Sequence, residues 1–231
     1  MQDPAPLCPP KPTTPDVTLS LSEGAAGLTD ELDAGAGLLP EPRVRAWDRR
    51  LATAVSGVAS PPVLVAAMTA LQASISGESD RWLWASVYIS CAVLIPLAYL
   101  VHLFKHGEVG DLDLRRRSQR FRPQFVTVSC FGTAWAILRF GSAPAPMTAV
   151  AGALLLQSLA VLAITLRWKI SVHSATAAAA GVVVWSVFGA LIPVLVAIAL
   201  VAWSRLRLRY HSPGQVAAGA LLGLAVFGLA L

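Results

Sequence analysis

Charge is scarce in this chain. Of 231 residues only 13% are Asp, Glu, Lys or Arg, and acidic side chains (13) are outnumbered by basic ones (18). With 55% hydrophobic residues and a mean hydropathy of +0.63, that scarcity argues against a water-soluble core and for an integral membrane protein. Cysteine is nearly absent too. Cys8, Cys91 and Cys130 lack metal-ligand spacing and two of them lie inside apolar stretches, so neither a structural disulfide nor a zinc site is expected. A basic start followed by an apolar core is also missing, which speaks against a secretory signal peptide. The net charge of +5 and pI near 9.6 could suggest nucleic acid. The basic residues, however, sit in short loops beside apolar segments, where membrane topology or phosphate binding explains them better than a nucleic-acid partner.

What is present falls into three parts. Residues 1–42 are rich in Pro, Gly, Ala, Thr and acids such as Asp30, Glu31 and Asp33, without apolar periodicity, and read as a disordered tail. In residues 43–60 Trp47 and Leu51 are four apart, so both can face lipid while Arg45, Arg49 and Arg50 stay wet, as in an interfacial amphipathic helix. Residues 61–231 carry seven apolar segments: Pro61 to Ser76, Trp82 to Phe104, Phe125 to Phe140, Ala143 to Trp168, Ala175 to Phe188, Leu191 to Trp203 and Gln215 to Leu231. The expected fold is all-α, a polytopic transmembrane bundle of six or seven helices, with the shorter segments borrowing turns from their flanks. Pro96 and Pro193 are tolerable in such helices and are expected to kink them. Small-residue runs at Ala177 to Gly181 and Ala217 to Gly223 favour close helix packing. Trp82, Trp84, Trp168 and Trp203 lie near segment ends, as in an aromatic belt.

The basic residues recur at intervals of two crossings, at Arg43 to Arg50, Lys105 and Arg115 to Arg122, Lys169, and Arg205 to Arg209. Even numbers of crossings place them on one face, which the positive-inside rule makes cytoplasmic, in a cell (inner) membrane. Three polar clusters share that face: "DLDLRRRSQRFRPQ" from Asp111 to Gln124, "KISVHS" from Lys169 to Ser174, and "SRLRLRYHSPGQ" from Ser204 to Gln215. Guanidinium groups with few acids nearby suit a phosphate, whose oxygens accept paired charge-assisted hydrogen bonds. Two histidines, His173 and His211, come from different clusters, so one imidazole can attack phosphorus while the other protonates the leaving oxygen. His173 lies where a helix begins, with Ser171 or Ser174 as its cap, and a helix N-terminus favours an anion.

Arg115, six residues, then Arg122-Pro123; Ser171-Val172-His173; and Ser204-Arg205, five residues, His211, with a polar residue four further on, together resemble the three-part signature of the type 2 phosphatidic acid phosphatase and vanadium haloperoxidase superfamily. The resemblance runs from about Pro61 to Leu231. It implies a membrane-embedded phosphatase of lipid phosphates or isoprenoid (di)phosphates. In that scheme Arg115, Arg122 and Arg205 bind the phosphoryl group with donors from the Ser171 region, and Lys169 supports the phosphate or anchors the interface. His211 forms a phosphohistidine, His173 is the general acid, and arginine supplies the positive charge without a metal or other cofactor. Three positions depart from the pattern. Arg115 stands for a Lys, Val172 for a Gly, and Gln215 for the Asp that orients the nucleophilic His. An amide carbonyl at 215 can select the imidazole tautomer but cannot neutralise an imidazolium.

Other readings stay open. Arg116 and Arg117 fit interfacial anchors, and His102 and His106 match no cluster. Asp111 and Asp113 either pair with adjacent arginines or hold Mg²⁺ for a diphosphate, in which case the chain carries out transfer or prenyl-diphosphate chemistry. A non-catalytic lipid-binding role is the third alternative.

Overall fold

The computed structural model describes residues 46–114 and 119–231. The expected tail and Arg115, Arg116 and Arg117 lie outside these residues. Eight helices and no strand occur among the described residues: α1 Ala46–Val58, α2 Pro61–Ile75, α3 Arg81–Lys105, α4 Phe121–Phe140, α5 Ala145–Thr165, α6 Val172–Phe188, α7 Leu191–Arg207 and α8 Pro213–Ala230. The fold is all-α, and each of the seven apolar segments read from the sequence is a helix.

Local chemistry sets the helix ends. Pro61 and Pro146 sit in the first turns of α2 and α5, where a missing N–H costs nothing. Ser171 and Ser212 cap α6 and α8, and α6 stops at Gly189, whose φ of 65° is left-handed. The two prolines expected to kink helices behave differently. Pro96 follows a π-helical turn at Ser90–Leu94 within α3, which widens the backbone just where the ring meets the preceding carbonyls. Pro193 lies in the first turn of α7 and kinks nothing, because no intrahelical N–H is needed there.

By length and composition, α3, α5 and α8 are long and apolar enough to cross a membrane. A fourth span results if α1 and α2, bent by 46°, count as one. The number is below six or seven for identifiable reasons. Helices α6 and α7 have 17 residues each, short of the ~20 that span a bilayer comfortably. Helix α4 carries Arg122 and Arg139 in its end turns, and α7 carries Arg205 and Arg207. Large apolar side chains such as Phe140, Ile192, Leu221 and Leu229 are exposed, as a lipid-facing surface requires. These features are consistent with an integral membrane protein.

Inside, Tyr88, Leu138, Leu154, Val183 and Phe227 are fully buried in one core. Helix α8 packs most extensively on α6. Two glycines of α8 permit it: a Cβ at Gly219 would overlap the Ser171 carbonyl oxygen, and one at Gly223 the Ala175 carbonyl oxygen. This Gly-x-x-x-Gly stripe brings two backbones together at the end of the bundle where the polar clusters lie.

Candidate functional site

The loops α3–α4, α5–α6 and α7–α8 carry the three polar clusters, and each pair of clusters is joined by a direct contact. Arg120 Nη1 donates to the Ile170 carbonyl at 3.0 Å, linking the first to the second. Ser171 N–H donates to the Gln215 carbonyl at 3.2 Å, linking the second to the third. Arg205 Nη1 donates to Asp113 Oδ1 at 3.0 Å, linking the third to the first. Residues spread over a hundred positions of sequence thus form one polar group.

Each wall has a local cause. The end of α7 is a Schellman turn: Tyr210 N–H reaches the Arg205 carbonyl at 3.1 Å and Arg209 N–H the Leu206 carbonyl at 3.0 Å, with Arg209 left-handed at φ 54°. That turn folds the Tyr210 ring under the guanidinium of Arg205, 4.4 Å from its centroid, and leads directly into His211. The Arg205 side chain is 1% exposed, and its Nη1 also donates to Ser56 Oγ of α1 at 2.6 Å. Neighbouring Arg207 pairs with Asp48 of α1 at 2.6 Å. Across the site Ser171, fully buried, spends its hydroxyl on the α6 cap, accepting from Ser174 N–H at 3.3 Å and bonding Ser174 Oγ at 2.9 Å.

His211 is held by the start of α8. Gln215 closes a capping box with Ser212, its Oε1 accepting the Ser212 N–H at 3.3 Å. The same Oε1 lies 3.0 Å from His211 Nδ1. An oxygen that already accepts a backbone N–H must accept from the imidazole as well, so His211 carries its proton on Nδ1 and presents the Nε2 lone pair. Burial, then the charge of Arg120, push the His211 pKa down to about 3, so the ring is neutral at pH 7. The Gln215 hydrogen bond acts the other way, and the charges of Lys169 and Arg205 add to the lowering. Arg120, buried beside Arg205, is lowered to about 10 by burial first and by that neighbour second, and it stays charged at neutral pH. His173 Nε2 lies 3.8 Å from Asp113 Oδ1.

The structure therefore brings His173, His211, Gln215, Ser171, Arg205 and the charge of Lys169 into one group, and leaves Arg122 out of it. Arg122, in the first turn of α4, points to solvent with 70% of its side chain exposed and pairs with Glu108 at 2.8 Å. Arg120, two residues earlier, turns inward instead and is tied to the Leu114 carbonyl at 2.7 Å. Among the described residues Asp113 is paired with Arg205, and Asp111 acts on Arg120; the adjacent Arg115, Arg116 and Arg117 lie outside the described residues. Among the described residues no three His, Cys, Asp or Glu gather where a metal could sit. Sequence reasoning missed Arg120, Ser56 and Tyr210. The first was within reach, since it shares a cluster with Arg122.

The family model of the PAP2 superfamily matches residues 113–231, which take in all three clusters apart from Asp111 and Leu112. The chain belongs to the PAP2 superfamily. Membership supports phosphatase-type chemistry and a phosphoric-ester substrate of the lipid kind. No curated protein and no solved structure matches the chain.

Proposed function

We propose that this PAP2 member is a membrane-embedded hydrolase that removes the phosphoryl group from a lipid phosphate or an isoprenoid (di)phosphate through a phosphohistidine on His211. The observation that carries the reading is the His211 Nδ1–Gln215 Oε1 contact of 3.0 Å, which leaves a neutral Nε2 lone pair within a group containing two buried arginines. Nε2 attacks phosphorus and the bond from phosphorus to the leaving oxygen breaks. His173, which takes up a proton when the substrate's negative charge binds beside it, gives that proton to the oxygen. Water then attacks the phosphohistidine, His173 takes up the proton, and phosphate leaves. Arg120 and Arg205, with the first-turn N–H groups of α6, stabilise the charge that gathers on the phosphoryl oxygens. The amphiphile's tail lies between helices. The positive-inside rule, applied to the basic loops, supports a site on the cytoplasmic face of the cell membrane.

Purified protein given phosphatidate, phosphatidylglycerol phosphate and polyprenyl phosphates, with EDTA present, is expected to release inorganic phosphate. His211→Ala should release none. No release from any of the three, or equal release by the variant, sinks the proposal. Gln215 favours one second reading, a phosphate-binding member without turnover, because an amide cannot neutralise the imidazolium formed on attack. Phosphate binding without hydrolysis distinguishes it.

A further inference from the structure

Three polar side chains are buried at the end of the bundle away from the two histidines. Thr69 and Gln72, three apart, project from one face of α2, and Tyr88 comes from α3. They are 4%, 4% and 1% exposed. All three line one cavity, and Leu138, Met147 and Val150 are among the apolar residues of its remaining wall. Leu138 lies in the last turn of α4 and Met147 in the first turn of α5, whereas the polar clusters gather at the opposite ends of those helices.

Polar atoms inside such a wall are nearly always paired. Thr69 Oγ1 gives its proton to the Val65 carbonyl at 2.9 Å, which leaves its lone pairs able to accept. Gln72 Oε1 and Tyr88 Oη, both sealed from solvent, have no hydrogen-bond partner among the described residues. The space open to the centre of a water molecule is about 10 Å³, room for one water and nothing larger. The count of donors and acceptors agrees. One water offers two protons, for Gln72 Oε1 and Thr69 Oγ1, and a lone pair for the Tyr88 hydroxyl, three bonds in all, the usual number for a buried water. An ammonium ion has a similar size but brings a charge that no acid in the lining balances. We propose that this cavity is a binding site for one ordered water, which joins α2 to α3 by bridging Gln72 and Tyr88.

Two substitutions of similar size read the bridge by the sign of their effect. With water bound, Tyr88→Phe and Gln72→Leu each take a bond from it, and the Tm of the full chain in detergent should fall by roughly 2–6 °C in each. The double variant should fall by less than the sum, because the first change already weakens what the second removes. In a dry cavity each change would remove a buried unpaired group, so Tm would rise and the two shifts would add. Radiolytic hydroxyl-radical labelling gives a second reading, since radicals made from a bound water oxidise the side chains around it. Met147, itself buried, should be oxidised severalfold faster in the wild type than in the variants. A rise in Tm for either single variant, shifts that add, or Met147 labelling that the substitutions leave unchanged overturns the water site.

Discussion

Substituting Gly219 by alanine probes the contact on which the assembly of the site depends. The new Cβ would overlap the Ser171 carbonyl oxygen, a backbone atom that cannot rotate away, and would crowd the Ser174 Cβ at 3.3 Å. Helices α6 and α8 must then part by several tenths of an ångström. Overpacking of this kind costs about 1–3 kcal/mol, partly offset by roughly 1 kcal/mol because alanine is the better helix former. The net loss, up to about 2 kcal/mol, corresponds to a fall in Tm of up to roughly 4–8 °C for a chain of this size. Function should suffer more. The Ser171 N–H···O=C Gln215 bond of 3.2 Å ties the His173 and His211 walls together, and a misplacement near 1 Å costs about 10²-fold in rate. Gly228, on the same helix, supplies the control, since no described atom lies within 4 Å of where its Cβ would stand. Gly228→Ala should raise Tm by a few degrees and leave activity and phosphate binding unchanged. If Gly219→Ala matches Gly228→Ala in Tm and keeps wild-type phosphate binding, the close approach of α6 and α8 does not hold the site.

Four further outcomes are expected. Gln215→Asp places a carboxylate against His211 Nδ1 and should raise the hydrolysis rate by tenfold or more, read as phosphate release; a loss would mean that the site works only with the amide. Arg120→Ala should weaken inorganic phosphate binding by at least about thirtyfold, whereas Arg122→Ala, at an exposed pair worth under ~1 kcal/mol, should change it less than twofold by calorimetry. Because the native His211 pKa lies near 3 and an unfolded histidine titrates near 6.5, only the unfolded chain takes up that proton as pH falls between these values. Stability from this group is therefore full above about pH 6.5 and falls by about 2 kcal/mol by pH 4.5, a loss that His211→Gln should remove in denaturant titrations at the two pH values. Arg209→Gly relieves a left-handed non-glycine residue at φ 54° and should stabilise the fold by about 1 kcal/mol in the same titrations.

Much of the architecture was legible because long apolar runs broken by charged loops have few solutions in lipid. Every predicted segment is a helix, and the Gly219–Gly223 stripe was readable as a packing face. The meeting of three distant clusters was legible too, since two helices lie between each cluster and the next and return the chain to the same end of the bundle. Finer choices were not. Arg120 and Arg122 are equivalent in sequence, and only the start of α4 at Phe121 decides that one turns inward while the other takes Glu108 as partner. Asp113 beside three arginines looks like their local counter-ion, and its pairing with Arg205, 92 positions away, depends on the loop path through the left-handed Leu114. Ser56 carries no sequence signal: a serine in a short amphipathic helix is ordinary until α1 is laid against α7. Pro193 was misjudged because a proline two residues after a helix start is harmless, and that start was invisible within an apolar run.

The contact between Ser56 and Arg205 reaches outside the stretch shared with other PAP2 proteins, which begins at Asp113. A fragment excised at that border would keep both histidines and every residue of the signature, yet its central guanidinium would lose the Ser56 oxygen that Nη1 grips and the helix packed beside it. Borders drawn by likeness record what relatives have in common. In this chain they cut through a brace that the common part leans on.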